Sequence, residues 1–165
     1  MRFKHLSLQG YKSFANKSEF LFLTGITAIV GPNGSGKSNI ADGIRWVMGE
    51  QSIKQLRGKD KEDIIFAGSN GRAPTNMAEV SVTLANDNGH APEAFRDYSE
   101  IMVTRRLYRD GGSEFLLNRN PCRLRDVREL FMDTGVGNRG YSIIEQGQIE
   151  QLVGASKADR RIVFE

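Results

Sequence analysis

The stretch Gly31-Pro32-Asn33-Gly34-Ser35-Gly36-Lys37-Ser38 decides how this chain is read. It satisfies the pattern G-x-x-x-x-G-K-[ST] at every fixed position. Just before it, Ile26-Thr27-Ala28-Ile29-Val30 is a short apolar, β-branched run, which predicts a strand buried on both faces. Just after it, Ile40, Ile44, Val47 and Met48 recur at the spacing of one helix face. That spacing predicts a helix from about Lys37 to Met48, stopped by Gly49. Strand, glycine loop and helix in this order aim several backbone N–H groups and a helix N-terminus at one anion. Gly31, Gly34 and Gly36 let the backbone approach oxygen atoms closely. Lys37 is placed to reach the β- and γ-phosphates of a nucleotide, and the Ser38 hydroxyl to ligate Mg²⁺.

Bulk properties narrow the class. The 165 residues make one ordinary domain, and a net charge of +3 does not by itself announce a nucleic-acid partner. Cys122 is the single cysteine, so no internal disulfide forms, which suits a reducing cytosol. His5, His90 and Cys122 lack metal-ligand spacing, which argues against a zinc site. No apolar run approaches a membrane span of ~20 residues, and the N-terminus lacks the apolar core of a signal peptide. A cytoplasmic location, with no membrane partner, is the expectation.

Outward from the loop, Lys4 to Leu8 alternates as a half-buried edge strand would, and Ser18 to Leu23 reads as a second strand. Between Glu50 and Arg72 the periodicity is weak: a charged loop, Arg57 to Lys61, precedes a short apolar segment, Asp63 to Phe66. Glu79 to Leu84 alternates with Val80, Val82 and Leu84 on one face. Asn86 to Asp97 reads as a surface loop. Ile101 to Arg109 and Ser113 to Leu117 flank the turn Asp110-Gly111-Gly112, and Asn118 to Pro121 makes another turn. Leu124, Val127, Leu130 and Phe131 then line a helix ending near Gly135, with Arg123, Arg125 and Arg128 on its polar side. Ser156 to Asp159 fits a capping box, so a new helix is expected from there to Glu165, and a chain ending inside it looks like a fragment.

A nucleotide hydrolase also needs an acid at a strand end to hold Mg²⁺ and a group that orients water. Leu130-Phe131-Met132-Asp133 reads better as a helix end than as that strand. Ser142 to Glu145 reads as a strand end beside Gln146, whose amide oxygen suits Mg²⁺ or its water, though an ordinary exposed glutamine fits equally. The expectation is a chain that holds nucleotide phosphates and hydrolyses them poorly alone.

Gly31 to Asn39, Arg45-Trp46-Val47-Met48-Gly49-Glu50-Gln51-Ser52 and Glu62 to Gly68 together resemble bacterial structural-maintenance-of-chromosomes (SMC) proteins. Pro121 to Leu124, Phe131 to Gly135 and Ile144 to Gly147 resemble later blocks of the same family, in the same order. The resemblance implies an α/β fold, the N-terminal half of an ABC-type P-loop ATPase head over residues 1–155. It implies a mixed sheet around the P-loop helix, an antiparallel β lobe, and the start of a coiled-coil arm at 156–165. It also implies that a C-terminal half of the same polypeptide supplies the signature motif, the Mg²⁺-binding acid and the catalytic glutamate. Two heads would then sandwich two ATP molecules, each with Mg²⁺, as a homodimer with a kleisin-type subunit, and hydrolysis would drive chromosome condensation and segregation at the nucleoid.

By position, the resemblance assigns nucleotide contacts to Gly31, Pro32, Asn33, Gly34, Ser35, Gly36, Lys37, Ser38 and Asn39, and more weakly to Lys12 and Ser13. It makes Gln146, with Ser38, a metal contact, and gives Gln146 and Arg57 catalytic roles, Arg57 as an arginine-finger-like group that responds to DNA. Asp63 to Phe66 would lie near the base. Tyr11 stands where related chains often carry Phe, a change expected to be silent. For DNA, phosphate contacts without sequence preference are expected from Lys59, Lys61, Arg119, Arg123 and Arg125, against the plainer reading of a solvated charged face. The alternatives are a repair ATPase of the RecN or RecF type, a self-contained P-loop kinase, and a module that never binds nucleotide.

Overall fold

Alternation along the third strand explains why the sheet has one dry face. The computed structural model describes residues 1–87 and 91–133. Its sheet contains β1 (Arg2–Gln9), β2 (Ser18–Leu21), β3 (Met77–Ala85), β4 (Glu100–Tyr108), β5 (Ser113–Leu117) and β6 (Asn120–Cys122). The spatial order is β2-β1-β3-β4-β5-β6, and each neighbouring pair runs antiparallel. Val80, Val82 and Leu84 are buried on one face, where Val82 sits opposite Leu6 on β1 and Val103 on β4. On the other face Ser81 and Thr104 pair their hydroxyls at 2.8 Å. β1 was expected at an edge, but it lies between β2 and β3; its half-polar alternation records one wet face, not a missing neighbour.

The phosphate-loop helix α1 (Lys37–Val47) packs across the dry face against β1, β3 and β4. Ile40, Trp46 and Val47 are buried there, each burial being worth ~1.5–3 kcal/mol. The Trp46 ring lies 5.4 Å from that of Tyr11, centroid to centroid. The helix stops where the sequence puts Gly49, which adopts φ +106°. Gly49 N–H donates to Trp46 O and Glu50 N–H to Arg45 O, both at 3.1 Å, closing the end as a glycine-terminated helix does. A second helix, α2 (Leu124–Asp133), buries the predicted Val127, Leu130 and Phe131.

Arg105 breaks the apolar alternation of β4 on this same face. Its guanidinium carbon lies 4.7 Å from the centroids of both the Trp46 and Phe115 rings. Nη1 donates to Trp46 O at 2.8 Å and to Glu50 O at 2.6 Å, so a sheet residue caps the C-terminal end of α1. Burial pulls this guanidinium down to about 10, against opposing attractions from Tyr11 and Glu50.

Two stretches differ from expectation. Residues Ile26 to Val30 form no strand, and Ile26 and Val30 are almost wholly exposed. A buried strand needs a partner's backbone at its edge; among the described residues none pairs with this run. The loop between α1 and β3 carries more of the core than its weak periodicity suggested: Leu56, Ile64 and Ile65 are buried around a single 3₁₀ turn, Lys61–Ile64. The expected strand end at 142–145, Gln146 and the helix from Ser156 lie outside the described residues.

Candidate functional site: the phosphate loop and its neighbours

The loop from Gly31 to Ser35 is exposed, and α1 begins immediately after Gly36. Gly36 takes φ +89°, and a Cβ built on it would stand 2.6 Å from Ser13 Oγ. No L side chain is accommodated there without moving its neighbour. Ser13 belongs to the turn after β1 and also accepts a hydrogen bond from Asn39 Nδ2 at 2.9 Å. Lys37 folds back over the loop, its ammonium donating to Gly31 O and Pro32 O, each at 2.6 Å. The loop therefore presents a glycine backbone, one ammonium and the open N-terminus of an 11-residue helix to solvent. Such a set fits the charge and size of nucleotide phosphates. Ser38 is exposed at the start of the helix, and the described residues hold no cluster of three His, Cys, Asp or Glu side chains. A metal here would take its remaining ligands from the phosphates and from groups outside the described residues.

A cavity of about 500 Å³ adjoins the loop and is lined by Lys12, Ser13, Asn39, Arg57, Asp63 and the backbone-rich run Ile65 to Gly68. Behind two of these lining residues, Lys12 and Arg57, is Asp42, in the second turn of α1. Asp42 Oδ2 accepts from Lys12 Nζ at 2.5 Å, from Arg57 Nη2 at 2.6 Å and from Arg57 Nε at 3.1 Å. The Lys12 ammonium also donates to Leu56 O. Lys12 and Arg57 both have left-handed backbones, at φ +47° and +55°, which is uncommon for non-glycine residues. The Asp63 carboxylate is occupied locally: it accepts the backbone N–H groups of Lys59 at 2.6 Å and Asp60 at 3.1 Å. Those bonds hold it below the usual carboxylate range.

The structure thus gathers Ser13, Asn39 and the glycine loop at one place and Lys12 and Arg57 at the adjoining one. Asp42 was missed from the sequence, because a lone acid in a helix reads as part of its polar face. The basic residues considered for DNA fall on separate elements. Lys59 and Lys61 are exposed around the 3₁₀ turn, Arg119 sits at the β5–β6 turn with φ +71°, and Arg123 and Arg125 are exposed at the start of α2. Arg125 is paired with Glu129 at 3.3 Å.

A P-loop type of glycine loop at a helix N-terminus, on an α/β lobe, is what this geometry defines. The chain belongs to the RecF/RecN/SMC N terminal domain family, whose model it matches over residues 2–142. It is 54% identical, over all of its length, to the Chromosome partition protein Smc of Clostridium kluyveri, of which it spans 14%. Among solved structures it is similar to one described as "Structural biochemistry of ATP-driven dimerization and DNA stimulated activation of SMC ATPases", with TM-score 0.91 and 35% identity, covering 99% of this chain and 97% of that one. A second is the Smc head domain with an extended coiled coil bound to the C-terminal domain of ScpA, derived from Pyrococcus furiosus. There the TM-score is 0.86 and the identity 37%, over 98% of this chain and 40% of that one. The α/β half-head architecture expected from the sequence is thereby shown, and no helix among the described residues is long and apolar enough to cross a membrane.

Proposed function

We propose that this chain is the N-terminal, phosphate-gripping half of an SMC head that binds ATP with Mg²⁺. The observation that carries this is the Gly36 cradle: a positive-φ glycine with no room for a side chain, followed at once by Lys37 and a helix N-terminus. Bound ATP would supply a phosphoanhydride whose cleavage separates engaged heads. The chain's own part is to hold the phosphates through the loop N–H groups and Lys37, and to offer Ser38 to the metal. Gln146 completes that metal contact and orients water, and Arg57 adds positive charge from the cavity side.

Hydrolysis needs the acids of a C-terminal half of the same polypeptide and a second head. The exposed apolar run Ile26 to Val30 supports this, because its unpaired backbone and apolar side chains are available for segments of that half to cover. The similarity to Smc proteins favours a role in chromosome condensation and segregation over a repair ATPase of the RecN or RecF type. A kleisin-type partner is supported by the ScpA-bound relative. Double-stranded DNA would be held through its phosphates by Lys59, Lys61, Arg119, Arg123 and Arg125, in the cytoplasm at the nucleoid.

Co-expression of this half with the C-terminal half tests the proposal. ATP turnover should appear only in the joined head, rise on adding duplex DNA, and lose that rise steeply with salt. Turnover by this half alone, with any phosphoryl acceptor, would instead support a self-contained kinase.

A further inference from the structure

We propose that Asp42 is a positioning residue for this nucleotide site: its buried carboxylate aims the Arg57 guanidinium into the cavity beside the phosphate loop, while Lys12 serves as the fixed counter-charge. The inference rests on the nucleotide-binding reading and adds to it a residue that the phosphate-loop motif does not contain.

Three observations carry it. First, the Asp42 side chain is only 4% exposed, and a carboxylate so deep in a helix is stable only when paired. It is paired twice, by residues 30 and 15 positions away in sequence, and both pairs use the same oxygen, Oδ2. One carboxylate oxygen therefore faces two cations, while the Asp63 carboxylate on the same cavity wall is taken up by the backbone N–H groups of Lys59 and Asp60.

Second, the two cations are held differently. Lys12 is 10% exposed and is tied down again by Leu56 O, so its charge is spent inside the fold. Arg57 is 51% exposed and lines the cavity. Nε and Nη2 are the atoms bound to Asp42, and among the described residues Nη1 has no hydrogen-bond partner, so that edge of the fork keeps its donors for a ligand. Of the two cations on Asp42, Arg57 is therefore the one that faces the cavity.

Third, the backbone bends to make this arrangement. Lys12 and Arg57 each adopt a left-handed conformation that lysine and arginine rarely take, in two turns that meet over the same helix. The cavity continues to the phosphate loop through Ser13, which touches Gly36, and Asn39, which bonds Ser13. A polyphosphate seated on the loop lies beside the Arg57 edge that Asp42 orients.

The test uses the full-length protein, measuring ATP turnover and ATP binding separately. Asp42→Asn is expected to lower kcat about tenfold while ATP affinity stays within about threefold, because the loop itself is untouched. Arg57→Ala should show the same split, and Asp42→Asn combined with Arg57→Ala should be no slower than Arg57→Ala alone. Should Asp42→Asn fold poorly with Lys12 left unpaired, Asp42→Asn with Lys12→Met removes both buried charges and should show the same loss of kcat. Wild-type kcat in that folded double variant, or additive losses with Arg57→Ala, overturns the proposal and leaves Asp42 a purely structural ion pair. If Arg57→Ala turns over at the wild-type rate, the proposal also fails while the nucleotide reading stands. If the wild type shows no ATP binding at all, both fail.

Discussion

Replacing Gly36 with alanine should weaken nucleotide binding without unfolding the protein. The backbone there sits at φ +89°, and holding an alanine in a left-handed conformation costs ~1–2 kcal/mol. The new methyl would stand 2.6 Å from Ser13 Oγ, so Ser13 must turn away. That breaks its 2.9 Å hydrogen bond from Asn39, worth ~1 kcal/mol. The sum is ~2–3 kcal/mol charged against one loop conformation. The loop is exposed and contributes nothing to the dry face of the sheet, so it can relax to another shape at little cost to the fold. The penalty then returns whenever a ligand demands the original shape, which corresponds to roughly 30- to 150-fold weaker binding. Calorimetric titration of the full-length protein with Mg·ATP measures it, and thermal unfolding without nucleotide serves as the control. Binding within about threefold of wild type, or a collapse of the unfolding temperature, would refute the reasoning.

Substitutions at two further residues, Tyr11 and Arg105, probe the packing that places the loop. Tyr11 is fully buried beneath α1, and its hydroxyl has no hydrogen-bond partner among the described residues; burial, with Asp42 nearby, pushes its ionisation well above the ordinary range. Tyr11→Phe should therefore be neutral or stabilise the protein by up to ~1 kcal/mol in denaturant unfolding, and a clear loss would reveal a partner for that oxygen. Arg105→Ala should cost ~3 kcal/mol, by stranding the carbonyls of Trp46 and Glu50 and opening a gap between two rings. Arg105→Met removes the same charge but fills that gap between the Trp46 and Phe115 rings, so it should cost only about half as much. Equal losses in the two variants would mean that packing between the rings is not what holds the residue.

The parts legible in the sequence are those whose cause is local. The phosphate loop, α1 and its Gly49 stop, and the alternation of Val80, Val82 and Leu84 all follow from backbone geometry and spacing. Ile26 to Val30 carries the composition of a buried strand, yet composition cannot supply the neighbouring backbone, and the run lies exposed. β1 reads the same at an edge as inside a sheet when one face is wet. Asp42, Lys12 and Arg57 lie far apart along the chain, and no local rule predicts that two left-handed turns will deliver their cations to one carboxylate. Arg105 was hidden for a related reason: an arginine in an apolar alternation looks like a fault until the helix end it caps is in place.

The most direct measurement compares Mg·ATP binding to the full-length protein with binding to its Lys37→Ala variant. Saturable binding of one nucleotide per chain in the wild type, weakened at least about thirtyfold by removing the loop ammonium, is the predicted result. Equal affinity in the two proteins would contradict the claim that this glycine cradle and its lysine grip the nucleotide.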